Sequence, residues 1–421
     1  MSENIITKSN VKEGKATVGL ASVKKVILAL QHLVAMFGAT VLVPILTGLD
    51  TSVALVAAGV GTLLFHLVTK GKVPVFLGSS FAFIPVILTV KEMYHGDLTY
   101  VQGGIIIAGL LYVMMSFIIK KIGVDKIKRF LPAQVVGPMI IVIGLNLVPV
   151  AYNMAKNNFV VAATTLFVAL MITLKGKGFS KQLAILIGVI VGYLVSMKIG
   201  IVDVSEVKEI PILAMPNFTF PKFEAGAIAI IAPVVLAVFM EHIGDITTNG
   251  QVVGQNFIED PGLNRTLLGD GLATLFAGFI GGPANTTYGE NTGVLAITKN
   301  YDPSILRLAA VFAVILGFVA KIGGFLRTIP VPVMGGISLM LFSMIALIGI
   351  KTIKNEKVAF DIKNIIVMAV ILILGLGAPY IESYTGIAIA IPITESVKIS
   401  GLSLAAIVGV VLNGVLNGIK E

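Results

Sequence analysis

Cysteine is missing altogether from the 421 residues, which removes disulfides, thiol catalysis and thiolate metal sites. Charge is scarce as well. Asp, Glu, Lys and Arg make up 13% of the chain, about half the roughly 25% of a soluble globular protein. Only four histidines are present, with no His-Glu motif beside them, so no metal site is expected. What fills the space is apolar: 56% of residues are hydrophobic and the mean hydropathy is +0.98. A soluble fold is excluded, and the reading is an all-α polytopic membrane protein. No short cleavable signal pattern precedes the first apolar run, so residues 1–25 are expected to be a retained cytoplasmic tail. The net charge of +9 sits in short clusters between apolar runs, as membrane topology rather than nucleic-acid binding requires.

Charge-poor runs of roughly spanning length fall at Val26–Leu49, Thr51–Thr69, Val73–Val90, Leu98–Ile119, Phe130–Ala155, Asn157–Leu174 and Gln182–Met197. They continue at Ala225–Asp245, Leu267–Ile280, Pro283–Thr298, Leu308–Ala320, Thr328–Ile350, Asn364–Ile381 and Ile399–Ile419. That makes fourteen expected spans. Placing alternate loops on alternate sides puts 23 of the 31 Lys and Arg inside and 8 outside, so both termini are expected in the cytoplasm. Lys120, Lys121, Lys126, Lys128 and Arg129 are the densest inside cluster, whereas the outside loop from Ile199 to Glu224 mixes Asp203, Glu206 and Glu209 with its lysines.

One stretch does not read as ordinary membrane helix. Residues Gly281 to Lys299, GGPANTTYGENTGVLAITK, set the carboxylate Glu290 among glycines and hydroxyls. Broken backbone at membrane depth is tolerated only where protein or a cavity satisfies it, and a discontinuous helix there is the usual home of a transported substrate. A second broken segment, Pro74 to Pro85 with Gly78, Ser79 and Ser80, precedes it by about 207 positions. Pro132 and Gly137 echo Pro332 and Gly335 at offsets of 200 and 198. Two inverted seven-span repeats are the expected organisation.

Ionisable residues deep in the apolar runs are read as His32, His66, Glu241, His242, Asp245 and Glu290. Each is a functional candidate, because a charge at mid-bilayer costs about 2.5–3.5 kcal/mol even on insertion scales. Glu241 and Asp245 are four apart and share one helix face. Two buried carboxylates at that spacing repel, which makes the pair a candidate proton carrier. His242 lies about 100° around from Glu241 and is assigned to packing or a helix-to-helix hydrogen bond. His32, beside Gln31, is read as a supporting hydrogen bonder, and His66 as interfacial.

Gln31 to Pro44 (QHLVAMFGATVLVP), Gly78 to Phe83 (GSSFAF), Glu241 to Asp245 (EHIGD) and Asn285 to Gly293 (NTTYGENTG) together resemble the nucleobase–ascorbate transporter family, and within it the bacterial uracil permeases. The resemblance covers nearly the whole chain. Its most specific element is Glu290-Asn291-Thr292-Gly293 with Thr298-Lys299. It implies short strands in discontinuous spans 3 and 10, a core domain (residues 26–129 and 225–327) and a gate domain (130–224 and 328–421). It further implies that Glu241, Glu290 and the backbone amides of Phe81 and Gly289 hold the base, with Ala39, Tyr288, Ser80 and Phe342 around the pocket. Gln31, His32, Asn291 and Thr286 would support them. Two carboxyl groups and backbone N–H groups also complement the donor and acceptor edge of uracil.

Two positions depart from the pattern. Asp245 stands where the resemblance to uracil permeases implies a histidine, as an aspartate commonly does in purine-transporting branches, and Phe342 stands where the resemblance implies a tyrosine, which removes a hydroxyl that could bond the base or a water; Glu290 favours uracil. The expected activity is therefore proton-coupled uptake of uracil, with xanthine or another purine as the alternative substrate and sodium as the alternative ion. Glu241, Asp245 and Glu290 are the expected proton-coupling groups. No cofactor and no enzymatic activity are expected. The expected setting is the bacterial cytoplasmic membrane, with membrane lipid around the chain and a homodimer formed through the gate domain. A channel would need a selectivity ring and an enzyme a nucleophile–base set, and the sequence shows neither.

Overall fold

Capping side chains fix where many of the helices begin. The computed structural model describes residues 3–123, 132–392 and 398–418, so Lys126, Lys128 and Arg129 of the expected inside cluster lie outside the described residues. Helix α1 runs Glu3–Thr47 and α2 Thr51–Val68. The Asp50 carboxylate starts α2 by accepting from the Ser52 and Val53 amides at 2.7 and 3.0 Å, which satisfies two N–H groups that the helix itself cannot. Strand β1 is Leu77–Ser79, followed by a single 3-10 turn at Phe81–Phe83 and by α3, Ile84–Met93. Next come α4 (Thr99–Ile122), α5 (Ala133–Ala155), α6 (Phe159–Lys175, capped by Asn158) and α7 (Ala184–Lys198).

The second half repeats the pattern of helix, strand, helix. Helices α8 (Ala225–Ile231), α9 (Val234–Val253) and α10 (Leu263–Ile280) lead to strand β2, Asn285–Thr287, and then α11, Gly289–Thr298. Helices α12 (Pro303–Gly317) and α13 (Ala320–Arg327) follow, bent against each other by 76°. The chain closes with α14 (Val331–Asn355), α15 (Ile362–Leu372), α16 (Ala378–Thr385), the hairpin β3 (Ala390–Pro392) and β4 (Lys398–Ser400), and α17 (Gly401–Asn417).

Six helical stretches among the described residues are long and apolar enough to cross a membrane, and the bent pair α12 and α13 would make a seventh. The remaining apolar runs are divided among shorter helices. An apolar run is not always one helix: Val73–Val90 contains β1 and α3, Pro283–Thr298 contains β2 and α11, and Leu308–Ala320 turns at Phe318. His66 is a correction. It is buried rather than interfacial, with Nε2 2.9 Å from the Val75 carbonyl, because the chain leaving α2 folds back over it.

Packing is heaviest within two sets of helices. In one, α2, α4, α10 and α12 pack together, with α1 against α12 and α8 against α4; in the other, α14 packs on α5 and α6, α7 on α6, and α15 on α5 and α17. Helix α9 touches members of both. Close approach in the second set depends on glycine, since a Cβ on Gly144 would lie 2.6 Å from the Phe342 carbonyl oxygen and one on Gly349 2.5 Å from that of Gly137. Small residues at such crossings are what association in lipid relies on.

The connection between α7 and α8 lies across the ends of the first set. The Ala214 amide donates to Phe318 O at 3.1 Å, Thr219 to Ile280 O at 3.4 Å and Lys222 to Thr99 O at 3.0 Å. Gln102 bonds the Thr219 hydroxyl, and the Lys222 ammonium meets Asp97 at 2.8 Å while lying over the Tyr100 ring. The Glu224 carboxylate accepts from the Tyr94 hydroxyl and caps α8 at the Gly226 amide.

Candidate substrate site

Strands β1 and β2 pair antiparallel, Leu77 opposite Thr287, Gly78 opposite Thr286 and Ser79 opposite Asn285. The ladder extends at both ends through Ser80 N to Ala284 O at 2.8 Å and Tyr288 N to Phe76 O at 3.0 Å. This ribbon satisfies backbone groups that a broken helix would otherwise leave bare. Because the strands run oppositely, the helices that follow them leave in opposite directions. Their amino-terminal ends, at Phe81 and at Gly289, meet beside the ribbon, where first-turn N–H groups have no partner within their own helix and the dipoles present positive ends.

Both ends open on one cavity of about 380 Å³. Phe81, Glu241, Asp245, Tyr288, Gly289 and Glu290 line it, as does Thr286, while Ile140 and Ile143 of α5 and Met340 and Leu341 of α14 form the facing wall. Helix α9 supplies Glu241 and Asp245 one turn apart, and the first turn of α11 supplies Glu290. A Cβ built on Gly289 would meet nothing within 4 Å, so the backbone there is open to an approaching ligand. The Thr287 hydroxyl donates to Asp245 Oδ2 at 2.9 Å.

The other expected site residues lie elsewhere. Ala39 is buried in the apolar packing of α1, and Phe342 is buried among α5, α6 and α14 side chains; neither lines the cavity. Ser80 is buried next to Phe81, and neither its hydroxyl nor that of Thr286 has a partner among the described residues. Asn291 joins α11 to α1 by donating to His32 O at 3.0 Å, with the His32 ring nitrogen at 3.1 Å. The Gln31 side-chain oxygen is buried without a partner among the described residues.

Three residues of the site were not singled out from the sequence. Asp270 of α10 is buried, with Oδ2 2.9 Å from His242 Nδ1, and His242 Nε2 lies 2.9 Å from the Thr266 hydroxyl. Since Thr266 donates its own hydrogen to Leu263 O at 3.0 Å, it accepts from Nε2–H, and one proton is shared between Nδ1 and Asp270. His242 thus makes the helix-to-helix bond expected of it. Asp270 sits inside the run Leu267–Ile280 and meets the same criterion that selected Glu241. The second is Thr287, in the Asn285–Gly293 motif itself. Lys181 is the third, lining the cavity from the short helix Phe179–Gln182, where nothing in its local sequence marks it.

Residues 23–384 match the sequence profile of the Permease family. The chain belongs to that family. Over most of its length this permease is similar to uracil permeases: 42% identical to that of Bacillus caldolyticus over 93% of this chain and 91% of the relative. It is 40% identical to that of Bacillus subtilis (strain 168) over 93% and 92%, and 39% to that of Escherichia coli (strain K12) over 92% and 90%. Its fold resembles the transmembrane domain of the cyanobacterial bicarbonate transporter BicA, with a TM-score of 0.63 at 14% identity over 92% of this chain and 96% of that one. It also resembles murine Solute Carrier 26 family member A9 in the inward-facing state, with a TM-score of 0.67 at 11% identity over 94% and 68%. The permease is a membrane transporter, not an enzyme, and the family resemblance read from its motifs holds.

Proposed function

We propose that the permease imports a nucleobase, uracil first, by proton symport. The observation that carries this reading is the convergence of three carboxyl groups, Glu241, Asp245 and Glu290, and two helix amino termini, at Phe81 and Gly289, on one cavity. Carboxylates accept the ring N–H groups and backbone N–H groups donate to the ring carbonyls, the complement of a pyrimidine edge. Phe81 adds an aromatic wall for the planar ring. The volume falls within the roughly 300–1,000 Å³ of small-molecule sites. The names of the relatives in Bacillus and Escherichia coli point the same way.

In this reading the chain has fourteen spans in two inverted repeats, with both termini in the cytoplasm of a bacterial cell. The helix set that carries the ribbon is the core domain and the set built on α5 and α14 the gate. The core shifts against the gate in an elevator-like cycle. Thr173 and Lys181 line the cavity at the lysine-rich end that the charge bias assigns to the cytoplasm, so the form described is inward-facing. The gate domain also supplies the dimer contact. A proton crossing 100 mV supplies about 2.3 kcal/mol, enough for roughly fiftyfold accumulation of a neutral base. A purine is the second reading, favoured by Asp245 in the cavity wall.

Uptake of labelled uracil into proteoliposomes with an inward proton gradient tests both. Ionophore-sensitive uptake competed by uracil is expected; competition by xanthine alone would move the permease to purines, and sodium dependence would change the ion. Glu241→Gln is expected to lower gradient-driven uptake at least tenfold while uracil exchange at equal pH falls less, and unchanged pH dependence would remove Glu241 from the coupling role.

A further inference from the structure

Thr287 occupies an unusual place in the ribbon. Side chains alternate across a strand, so Thr286 faces with Gly78 and Tyr288, and Thr287 faces the other way with Asn285. Asn285 uses that face to bond Ala57 O at 3.0 Å, which pins the strand to α2. Thr287 uses it to reach α9, donating to Asp245 Oδ2 at 2.9 Å. The strand position is set by backbone pairing with Leu77, and a β-branched threonine has few rotamers to choose from. The hydroxyl is therefore presented to Asp245 from a fixed point.

We propose that Thr287 is the positioning residue that sets the charge state and orientation of the Asp245 carboxyl, a reading that rests on the proton-coupled transport proposed above. Its hydroxyl occupies Oδ2 and leaves the second oxygen for a proton or a ring N–H. A hydrogen bond to an ionised carboxylate is about twice as strong as one to a neutral acid, so the contact favours the ionised form. Other titratable groups surround Asp245. Glu241 and His242 of its own helix and Glu290 of α11 act on the same carboxyl, Tyr288 on the connection from β2 and Lys181 on the short helix Phe179–Gln182 line the same cavity, and Asp270 of α10 and Tyr112 of α4 interact with Glu241. Those groups stay in place when only the Thr287 hydroxyl is removed.

The decisive experiment reads the link without substrate. Melting temperature of the purified permease in detergent is followed from pH 5 to pH 8 for wild type, Thr287→Val, Thr287→Ser, Asp245→Asn and the Thr287→Val/Asp245→Asn double variant. Because the bond favours the ionised carboxyl, its contribution is present at high pH and lost as pH falls. The gap between wild type and Thr287→Val is expected to widen toward pH 8, to close in Thr287→Ser, and to lose its pH dependence in the Asp245→Asn background. In uptake, the acid limb of the Thr287→Val profile is expected to move to more alkaline pH by about half to one unit. A gap that is constant with pH, or that keeps its pH dependence when Asp245 is already Asn, would show that Thr287 merely packs. If melting behaves as stated while wild type shows no proton-driven uracil uptake, the transport reading falls and the Thr287 link stands.

Discussion

Gly78 shows how narrowly a single residue can be fixed by its surroundings. A Cβ there would sit 2.3 Å from the Tyr288 ring, inside any contact that real side chains tolerate, and the ring can give way only by breaking the bond its hydroxyl donates to Ser79 O at 3.0 Å. Gly78→Ala is accordingly expected to displace Tyr288 into the cavity and to cut uracil uptake at least tenfold, with most of the loss in KM; a KM equal to wild type would contradict it. Asn285 is fixed by polarity instead. Replacing it with leucine leaves the buried Ala57 carbonyl without its side-chain donor, a loss of about 1–3 kcal/mol that a denaturation curve in detergent would register. Both residues lie within motifs quoted from the sequence, yet neither role is legible there, since each depends on an atom contributed by a segment some two hundred residues away.

At the scale of elements, the sequence announced breaks and the structure supplied their purpose. Gly and Pro in residues 74–85 and 281–293 marked both discontinuities, because those residues interrupt a helix wherever they cluster. The antiparallel pairing of Leu77–Ser79 with Asn285–Thr287 is a long-range fact, and no local pattern encodes its register. Glu241, Asp245 and Glu290 were legible because a carboxylate in an apolar run is costly unless used, whereas Gly289 came in as a site residue only through the family resemblance of its motif. Asp270 obeys the same rule and was passed over. The cavity wall of Ile140, Ile143, Met340 and Leu341 was illegible for the opposite reason, since apolar residues on an apolar helix carry no signal. The contact between α5 and α14 invites its own test: Gly144→Leu would force a side chain onto the Phe342 carbonyl and is expected to lower the melting temperature in detergent by several degrees, whereas Gly414→Leu, with nothing within 4 Å of its Cβ, is expected to leave it unchanged.

For the molecule as a whole, the connection from Ile210 to Glu224 belongs with the helices it crosses. Its ion pair is insensitive to ordinary pH. The hydrogen bond from Lys222 holds the Asp97 carboxyl down at about 2, so the pairing persists above the usual carboxylate range and is lost only as pH falls through that value. Limited proteolysis of this connection is therefore expected to proceed equally at pH 5 and pH 8, and the pH dependence of uptake to come from the membrane carboxylates. The absence of native cysteine allows a direct check on attachment: a disulfide between Gln102→Cys and Thr219→Cys is expected to leave uptake intact, because in the proposed cycle both would move with the core. What remains free is short. Helix α7 ends at Lys198, and from Ser205 the chain is helical again before Ile210 comes up against Gly324 of α13. Between the two helices the six residues 199–204, even drawn out fully, can reach no further than about 21 Å. In the elevator-like cycle proposed above, that run would act as a tether of fixed length, and while the helix at Ser205–Glu209 stays wound it would cap how far the core can shift against the gate, whatever the substrate and whatever the driving ion.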